Sequence, residues 1–443
     1  MQSRVWGRNG KVSFLNNLLC MAIFLGTPML VIYYINTALR CDSNLVNGIS
    51  CLFSGELFGI YEYKMESLLN AIIIVVIWVT FQLILAVFPD IIHKIYPYYK
   101  GGVKEGLTSP GGCNYKYNIN GLQAWLISLL AFATGSYLGW INVTVVYDNW
   151  GNILLVTAIF AYILATISYI KAHTIPTNFH DLKFTNSKFY DYFMGIELNP
   201  RTGPIDWKLF FNGRPGIIGW SIINLSFAAA QYNFHGYITN SMVLVNLLQT
   251  LYIGYFFYRE AWYLKTLDIS HDHFGWMFSF GDLVWLPAMY TLQSLYLVNN
   301  PIDLSFTYFL FVLLFGCFGF YIFASSNNEK DKFRSTGKID ITTETIPCTY
   351  RTSNGEVHRT QLLISGWWGT CRHINYTGDI MLSLAYSLAC GTINPFPYFY
   401  VIYLTMLLLH RSNRDHIKCQ DKYGPSWDIY CRCVPYRFIP YVV

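Results

Sequence analysis

Ten apolar runs divide the chain, at about 13–36, 68–92, 122–143, 151–170, 215–230, 239–258, 283–298, 305–324, 376–392 and 397–409. Most are long enough to cross a hydrocarbon layer as helices. The run at 215–230 is short and bounded by Gly and Pro, and the last two form a hairpin broken by NPFP. Lys and Arg are unevenly spread between them. Arg4, Arg8 and Lys11 precede the first run, Lys94, Lys100, Lys104 and Lys116 follow the second, and VVYDNW after the third carries neither. Basic loops stay on the cytosolic side, so the N-terminus is expected there, and an even number of crossings returns the C-terminus to the same side. The pattern predicts an all-α, polytopic membrane protein of about ten transmembrane helices. It is organised as a basic cytosolic leader (1–12), a transmembrane region (13–325) and a C-terminal region of helices and loops (326–443).

Composition agrees with a membrane protein: 53% of residues are hydrophobic and 12% charged, about half the charged fraction of a soluble domain. The net charge of +5 calls for no nucleic acid. Eleven cysteines show no metal-ligand frame and are read as mostly reduced, although Cys41 and Cys51 share a loop and could pair. GGVKEGLTSPGG follows no strand and lacks the GxGxxG spacing, so it reads as a flexible connector. With no such fingerprint there is no Rossmann domain, and a dinucleotide would have to be held by helix ends and loops.

Polar chemistry is concentrated late in the chain. From Leu362 to Arg437, charged residues including Arg372, His373, Arg411, Arg414, Asp415, Lys418 and Lys422 alternate with Trp367, Trp368, Tyr376, Tyr423, Trp427 and Tyr430. Lipid does not tolerate so many charges, so they face a cavity, water or one another. Guanidinium forks fit phosphates and rings stack on rings, which suits a phosphorylated dinucleotide. The excess of Arg and Lys favours one with an extra ribose phosphate. Lys330 and Arg334, four residues apart, project from one face if the preceding helix continues. Snorkelling cations, an interfacial aromatic belt and a structural ion-pair cluster are the plainer readings of these features. Upstream, Glu260, Asp268, His271, Asp272, His273 and Asp282 are ionisable groups in or beside apolar sequence. HDH lacks a recognisable further ligand, so no metal is expected.

The segments SGWWGTCRHINYTGD, LLLHRSNRD and KYGPSWDIYCRCVPYR resemble the sterol reductases that saturate ring double bonds, a family that includes the lamin B receptor. FNGRPGIIGWSIINLSFAAAQ and GDLVWLPAMYTLQSLYLV extend the resemblance, which covers roughly 106–443. WYLKTLDISHDHFGW resembles the branch acting at the C7–C8 bond rather than the Δ14 reductases. The resemblance implies NADPH-dependent reduction of a Δ5,7-sterol taken from the bilayer, in the endoplasmic reticulum membrane, or the host's if a virus or parasite encodes the chain. A sterol isomerase is a possible partner. It further implies that Lys330, Arg334, Leu363, Trp368, Asn375 and Tyr376, with Arg411, Asp415, Cys419, Lys422, Tyr423 and Tyr430, surround the dinucleotide. Tyr290, with Asp415 as relay, is the expected proton source; Glu260, His271, Asp272, Trp276 and Asp282 are expected on the substrate side. The rival readings are Δ14 reduction, a non-catalytic scaffold like the lamin B receptor, and methyl transfer. The last arises because prenylcysteine methyltransferases share the RHxxYxG pattern seen at Arg372–Gly378. About a dozen residues precede the first run, so no chromatin-binding extension is expected.

Overall fold

The computed structural model describes residues 10–52, 58, 64–96, 98–351 and 357–440. Contacts divide the chain into two compact units, Gln2–Ile302 and Asp303–Val443, each built mainly of helices. Among the described residues, five helices are long and apolar enough to cross a membrane: Phe14–Arg40, Met65–Ile95, Trp150–Thr174, Asn240–Tyr258 and Phe306–Thr336. The chain is therefore a helical multi-pass membrane protein by composition and element length.

Within Gln2–Ile302, helix starts follow local chemistry. Ser13 Oγ accepts from the Asn16 amide and Thr239 Oγ1 from the Met242 amide, each satisfying an otherwise unpaired donor. Gly236, at φ 79°, ends the Gly219–His235 helix in a left-handed conformation that costs glycine little. The connector after the second run differs from expectation. Gly102–Glu105 pairs antiparallel with Lys116–Ile119, so the glycine-rich segment is the tip of a short hairpin. This and two other two-stranded sheets amend the all-α expectation. The run at 283–298 is likewise not one straight helix: a π-turn at Gly281–Trp285 leads into Leu286–Met289, and the chain breaks at Tyr290 before Leu292–Asn299. A second π-turn, Asn212–Ile218, contains Pro215, which cannot donate to the helix ladder. The two π-turns approach closely; a Cβ on Gly216 would lie 3.1 Å from the Asp282 carbonyl.

Within Asp303–Val443, the Phe306–Thr336 helix continues well past the apolar run that predicted 305–324, through the polar NNEKDKFRST. Gly337, at φ 74°, closes it. Thr345–Arg351 and Val357–Leu363 then form an antiparallel hairpin with Cys348 opposite Thr360. The Ile374–Leu388 helix crosses the long helix at two glycines. A Cβ on Gly319 would sit 2.9 Å from the Gly378 carbonyl, and one on Gly378 2.6 Å from the Gly319 carbonyl, so only small residues permit this crossing. Phe399–Tyr423 also outruns its apolar stretch, and Pro425–Cys433 follows after a turn at Gly424. Cys41 is disulfide-bonded and nine other cysteines are free thiols; the side chain of Cys51 lies outside the described residues.

Candidate cofactor and substrate sites

The extended helix puts Lys330 and Arg334 one turn apart, as their spacing predicted. The Lys330 ammonium lies 4.0 Å from the centroid of the Trp368 ring, a cation–π contact. Trp368 is held in turn: its Nε1 donates to the Ser326 carbonyl at 2.9 Å, and it packs with Phe333 and Leu363. The charges of Asp415, Arg334 and the Cys419 thiol all reach Lys330. His373 lies in the same field, with Asp415, Lys330, Arg372 and Arg437 acting on it. Burial pushes its pKa down to about 4, the three cations add to that, and Asp415 opposes it, so the imidazole is neutral at pH 7. Burial and Asp415 push the Cys419 thiol up to about 12.

Aromatic plates flank these charges. His373 and Tyr376 stack 5.0 Å apart at 13°, and Phe438 lies 6.2 Å from Tyr376. Lys422 stands 4.0 Å over the Tyr350 ring and 5.1 Å from that of Tyr423. Burial, then the charges of Arg334 and Lys418, lower its pKa. Tyr430 stacks on Trp427 at 4.9 Å, and Trp427 Nε1 donates to His416 Nδ1 at 3.1 Å. Asn375 Nδ2 donates to Asn327 Oδ1 at 3.4 Å, whereas its own Oδ1 is buried and accepts no hydrogen bond among the described residues. A buried amide oxygen without a donor, among cations and rings, fits a ligand that brings an amide N–H and phosphates. All twelve residues predicted to surround a dinucleotide belong to this one unit. The charge of Arg411 acts on Asp379 of the Ile374–Leu388 helix.

Several contributors escaped the sequence reading. Phe438 packs against the rings of His373 and Tyr376, and the Tyr350 ring lies under the Lys422 ammonium. Neither has a motif of its own; Tyr350 is one of alternating residues on the Thr345–Arg351 strand, which lies outside the apolar runs.

The substrate-side residues all belong to the other unit. Glu260 is 1% exposed and pairs with Arg214 at 2.7 Å, while its Oε2 accepts from the Gly121 amide at 2.7 Å. Arg214 Nη2 donates to Asn120 Oδ1 at 2.8 Å. Lys208, fully buried, donates to the carbonyls of Asp268, Ile269 and Asp272 and so pins the turn carrying His271 and Asp272. Burial lowers its pKa to about 8 against the opposing pull of Asp206, Asp272 and Asp268. Trp276 is packed in a ring cluster, 4.8 Å from Phe280 and 4.5 Å from Phe24. Asp282 accepts from Asn212 Nδ2 at 3.0 Å and borders an apolar cavity of about 570 Å³, with Trp78, Pro215, Ile222 and Leu283. Tyr290 packs edge-on to Trp220 at 5.4 Å, and its carbonyl accepts from Gln249 Nε2 at 3.2 Å. Among the described residues no group of three His, Cys, Asp or Glu side chains could hold a metal ion.

The Asp303–Val443 unit thus carries a cluster of cations and rings with no Rossmann sheet among its described residues, and the Gln2–Ile302 unit an apolar cavity, a combination compatible with a helical membrane enzyme. Residues 9–443 match the Ergosterol biosynthesis ERG4/ERG24 family, and the chain belongs to it. It is 48% identical to the 7-dehydrocholesterol reductase of Xenopus laevis, over 98% of this chain and 94% of that protein. It is 46% identical to a probable 7-dehydrocholesterol reductase of Acanthamoeba polyphaga mimivirus, over 98% and 97%. The Delta(14)-sterol reductase of Methylotuvimicrobium alcaliphilum is 41% identical, over 77% and 78%.

Proposed function

We propose that this chain reduces the C7–C8 double bond of Δ5,7-sterols with NADPH. The observation that carries the reaction is the likeness, over nearly its whole length, to two proteins named for 7-dehydrocholesterol reduction. Support for the cofactor comes from Lys330 on Trp368, the carboxylate of Asp415 among cations, and the unsatisfied oxygen of Asn375. When bound, the nicotinamide supplies the hydride; the chain supplies position and field. Lys330, Arg334 and Lys422 hold phosphates. Trp368, Tyr376, Tyr423 and Tyr430 supply ring surfaces, Leu363 an apolar wall, and Asn375 an acceptor for the carboxamide. Arg411 and Asp415 orient ribose or carboxamide groups, beside Cys419.

In the reaction one carbon of the double bond receives a proton and its neighbour the hydride. Tyr290 is the proposed proton donor, with Asp415 as the proposed relay. Glu260, His271, Asp272, Trp276 and Asp282 shape the sterol side, and the electron-deficient carbon is stabilised by anionic and aromatic groups. The sterol enters from the bilayer. On this reading the chain crosses the endoplasmic reticulum membrane about ten times with both termini cytosolic. Residues 13–325 serve the sterol, 326–443 the dinucleotide, and a sterol isomerase is a compatible partner.

Expression in a yeast that accumulates Δ5,7-sterols tests this. Loss of the conjugated-diene ultraviolet bands, with a mass gain of one H2, is expected. Persistence of the diene with the protein present at the membrane would remove the reading. A Δ8,14-diene offered in parallel separates C7 from C14 reduction.

A further inference from the structure

The Thr345–Leu363 hairpin does more than cover the last helices. One of its faces, with Cys348, Tyr350 and Leu362, packs against Tyr423, Trp427 and Tyr430. The other carries Thr349 opposite Arg359 and Pro347 opposite Gln361. Alternation along a strand sends these to the opposite side from Cys348. Both faces nonetheless border one cleft of about 750 Å³: Thr349, Arg359, Pro347 and Gln361 line it together with Cys348 and Thr360, and its further walls include Arg334 and Gly337 from the end of the long helix, and Ser426. That volume lies within the roughly 300–1,000 Å³ range of small-molecule sites.

The chemistry of the cleft is one-sided. Arg334 and Arg359 both line it, with hydroxyls from Thr349, Thr360 and Ser426 and no carboxylate. Arg334 Nη1 donates to Thr360 Oγ1 at 3.4 Å, which ties the helix cation to the strand bearing Arg359. Lys422, close enough to feel Arg334, is a third cation at the inner face of the hairpin. Cations gathered beside hydroxyls, without a counter-charge in the lining, are arranged for an anion. Lys330 lies one helical turn before Arg334, so this cleft continues the dinucleotide site outward.

We propose that the cleft takes the phosphorylated adenosine ribose of the dinucleotide, with Arg359 as a phosphate-binding residue beside Arg334 that sets the preference for the 2′-phosphorylated cofactor. This rests on the dinucleotide reading given under Proposed function. One guanidinium comes from the strand and the other from the helix, so two separate elements each offer the phosphate a fork. A cofactor lacking the 2′-phosphate leaves Arg359 without this partner and gains nothing from it.

The test uses the full-length protein in detergent and the two probes 2′,5′-ADP and 5′-AMP, measured by calorimetry. Arg359 is exposed, so its replacement leaves the fold intact. Arg359→Ala is expected to weaken 2′,5′-ADP about tenfold or more, leave 5′-AMP unchanged, and be partly rescued by Arg359→Lys. In turnover the KM for NADPH should rise while kcat and the KM for NADH stay put. Equal 2′,5′-ADP affinity in wild type and Arg359→Ala overturns the proposal, as does absence of 2′,5′-ADP binding together with Arg359-dependent binding to phosphatidylserine vesicles, which would make the cleft a lipid-headgroup site. Arg359-dependent 2′,5′-ADP binding without sterol reduction would uphold the cleft and remove the Δ7 reading. Sterol reduction with a KM for NADPH that is indifferent to Arg359 would do the reverse.

Discussion

The Lys330 ammonium rests 4.0 Å from the centre of the Trp368 ring, and the indole is fixed by its hydrogen bond to the Ser326 carbonyl one turn earlier on the same helix as Lys330. The helix therefore positions its own cation through a ring borrowed from the segment that follows the hairpin. Replacing the indole by an aliphatic side chain keeps apolar volume but removes the π face. Trp368→Leu is expected to raise the KM for NADPH about five- to tenfold, the equivalent of ~1–1.4 kcal/mol. Trp368→Phe should lose less. Steady-state kinetics at saturating sterol read this out, and an unchanged KM in Trp368→Leu would separate the ring from cofactor binding.

Arg214 and Glu260 form the most buried ion pair described, 2.7 Å long with side-chain exposures of 2% and 0%. The pair joins the Asn212–Ile218 π-turn to the start of the Gly121–Tyr137 helix, through Asn120 and the Gly121 amide. Removing one partner leaves a charge stranded in a medium that solvates it poorly. Glu260→Ala is expected to destabilise the protein by about 3–5 kcal/mol. Arg214→Met combined with Glu260→Leu should be markedly milder than either single change, because no charge remains buried. Thermal unfolding in detergent gives both values, and a double variant no better than Glu260→Ala would show that the pair holds the bundle together by more than mutual neutralisation.

The apolar runs located the long helices to within a few residues because a helix in lipid must be continuous and hydrophobic. They failed where helices leave that environment. The 306–336 and 399–423 helices run on through polar sequence, which a hydropathy pattern cannot mark as helix. The two π-turns and the break at Tyr290 were invisible for the opposite reason: apolar composition is the same whether the backbone is regular or not. Lys330, Arg334, Trp368 and Asp415 stood out as charges and rings where lipid would exclude them. Phe438 and Arg359 did not, since each gains its meaning only from residues distant in sequence.

His373 supplies a pH dependence with a definite sign. Its folded pKa of about 4 is below the ordinary 6.5, chiefly through burial and then through Lys330, Arg372 and Arg437. Between these values the unfolded chain binds a proton that the folded chain refuses. Stability attributable to this residue is therefore complete above pH 6.5 and declines as the pH falls toward 4. The total loss is of the order of 3 kcal/mol. Melting temperatures from pH 7 to pH 4 should show this slope in the wild type and a flatter one in His373→Asn; parallel curves would assign the acid lability elsewhere.

The C-terminal tail is bound to the start of the Ile374–Leu388 helix as closely as a strand to its neighbour. The Arg372 amide donates to the Tyr436 carbonyl at 3.0 Å and the His373 amide to the Arg437 carbonyl at 2.9 Å. Arg372 Nη2 donates to the Pro435 carbonyl at 2.8 Å, and Arg437 Nη1 to Asn413 Oδ1 at 2.6 Å. This pairing delivers Phe438, 5% exposed, beneath the stacked rings of His373 and Tyr376. The tail thus packs against two rings of the candidate cofactor site, and its Arg437 also adds to the field on His373. Phe438→Ala opens a cavity under them and should cost about 3 kcal/mol or more of stability. It should also raise the KM for NADPH several-fold, as Tyr376 loses its fixed tilt, whereas Phe438→Leu should restore most of the stability but less of the KM. A KM that recovers in step with the melting temperature across Ala, Leu and Phe would mean that the tail holds the unit together and does not orient Tyr376.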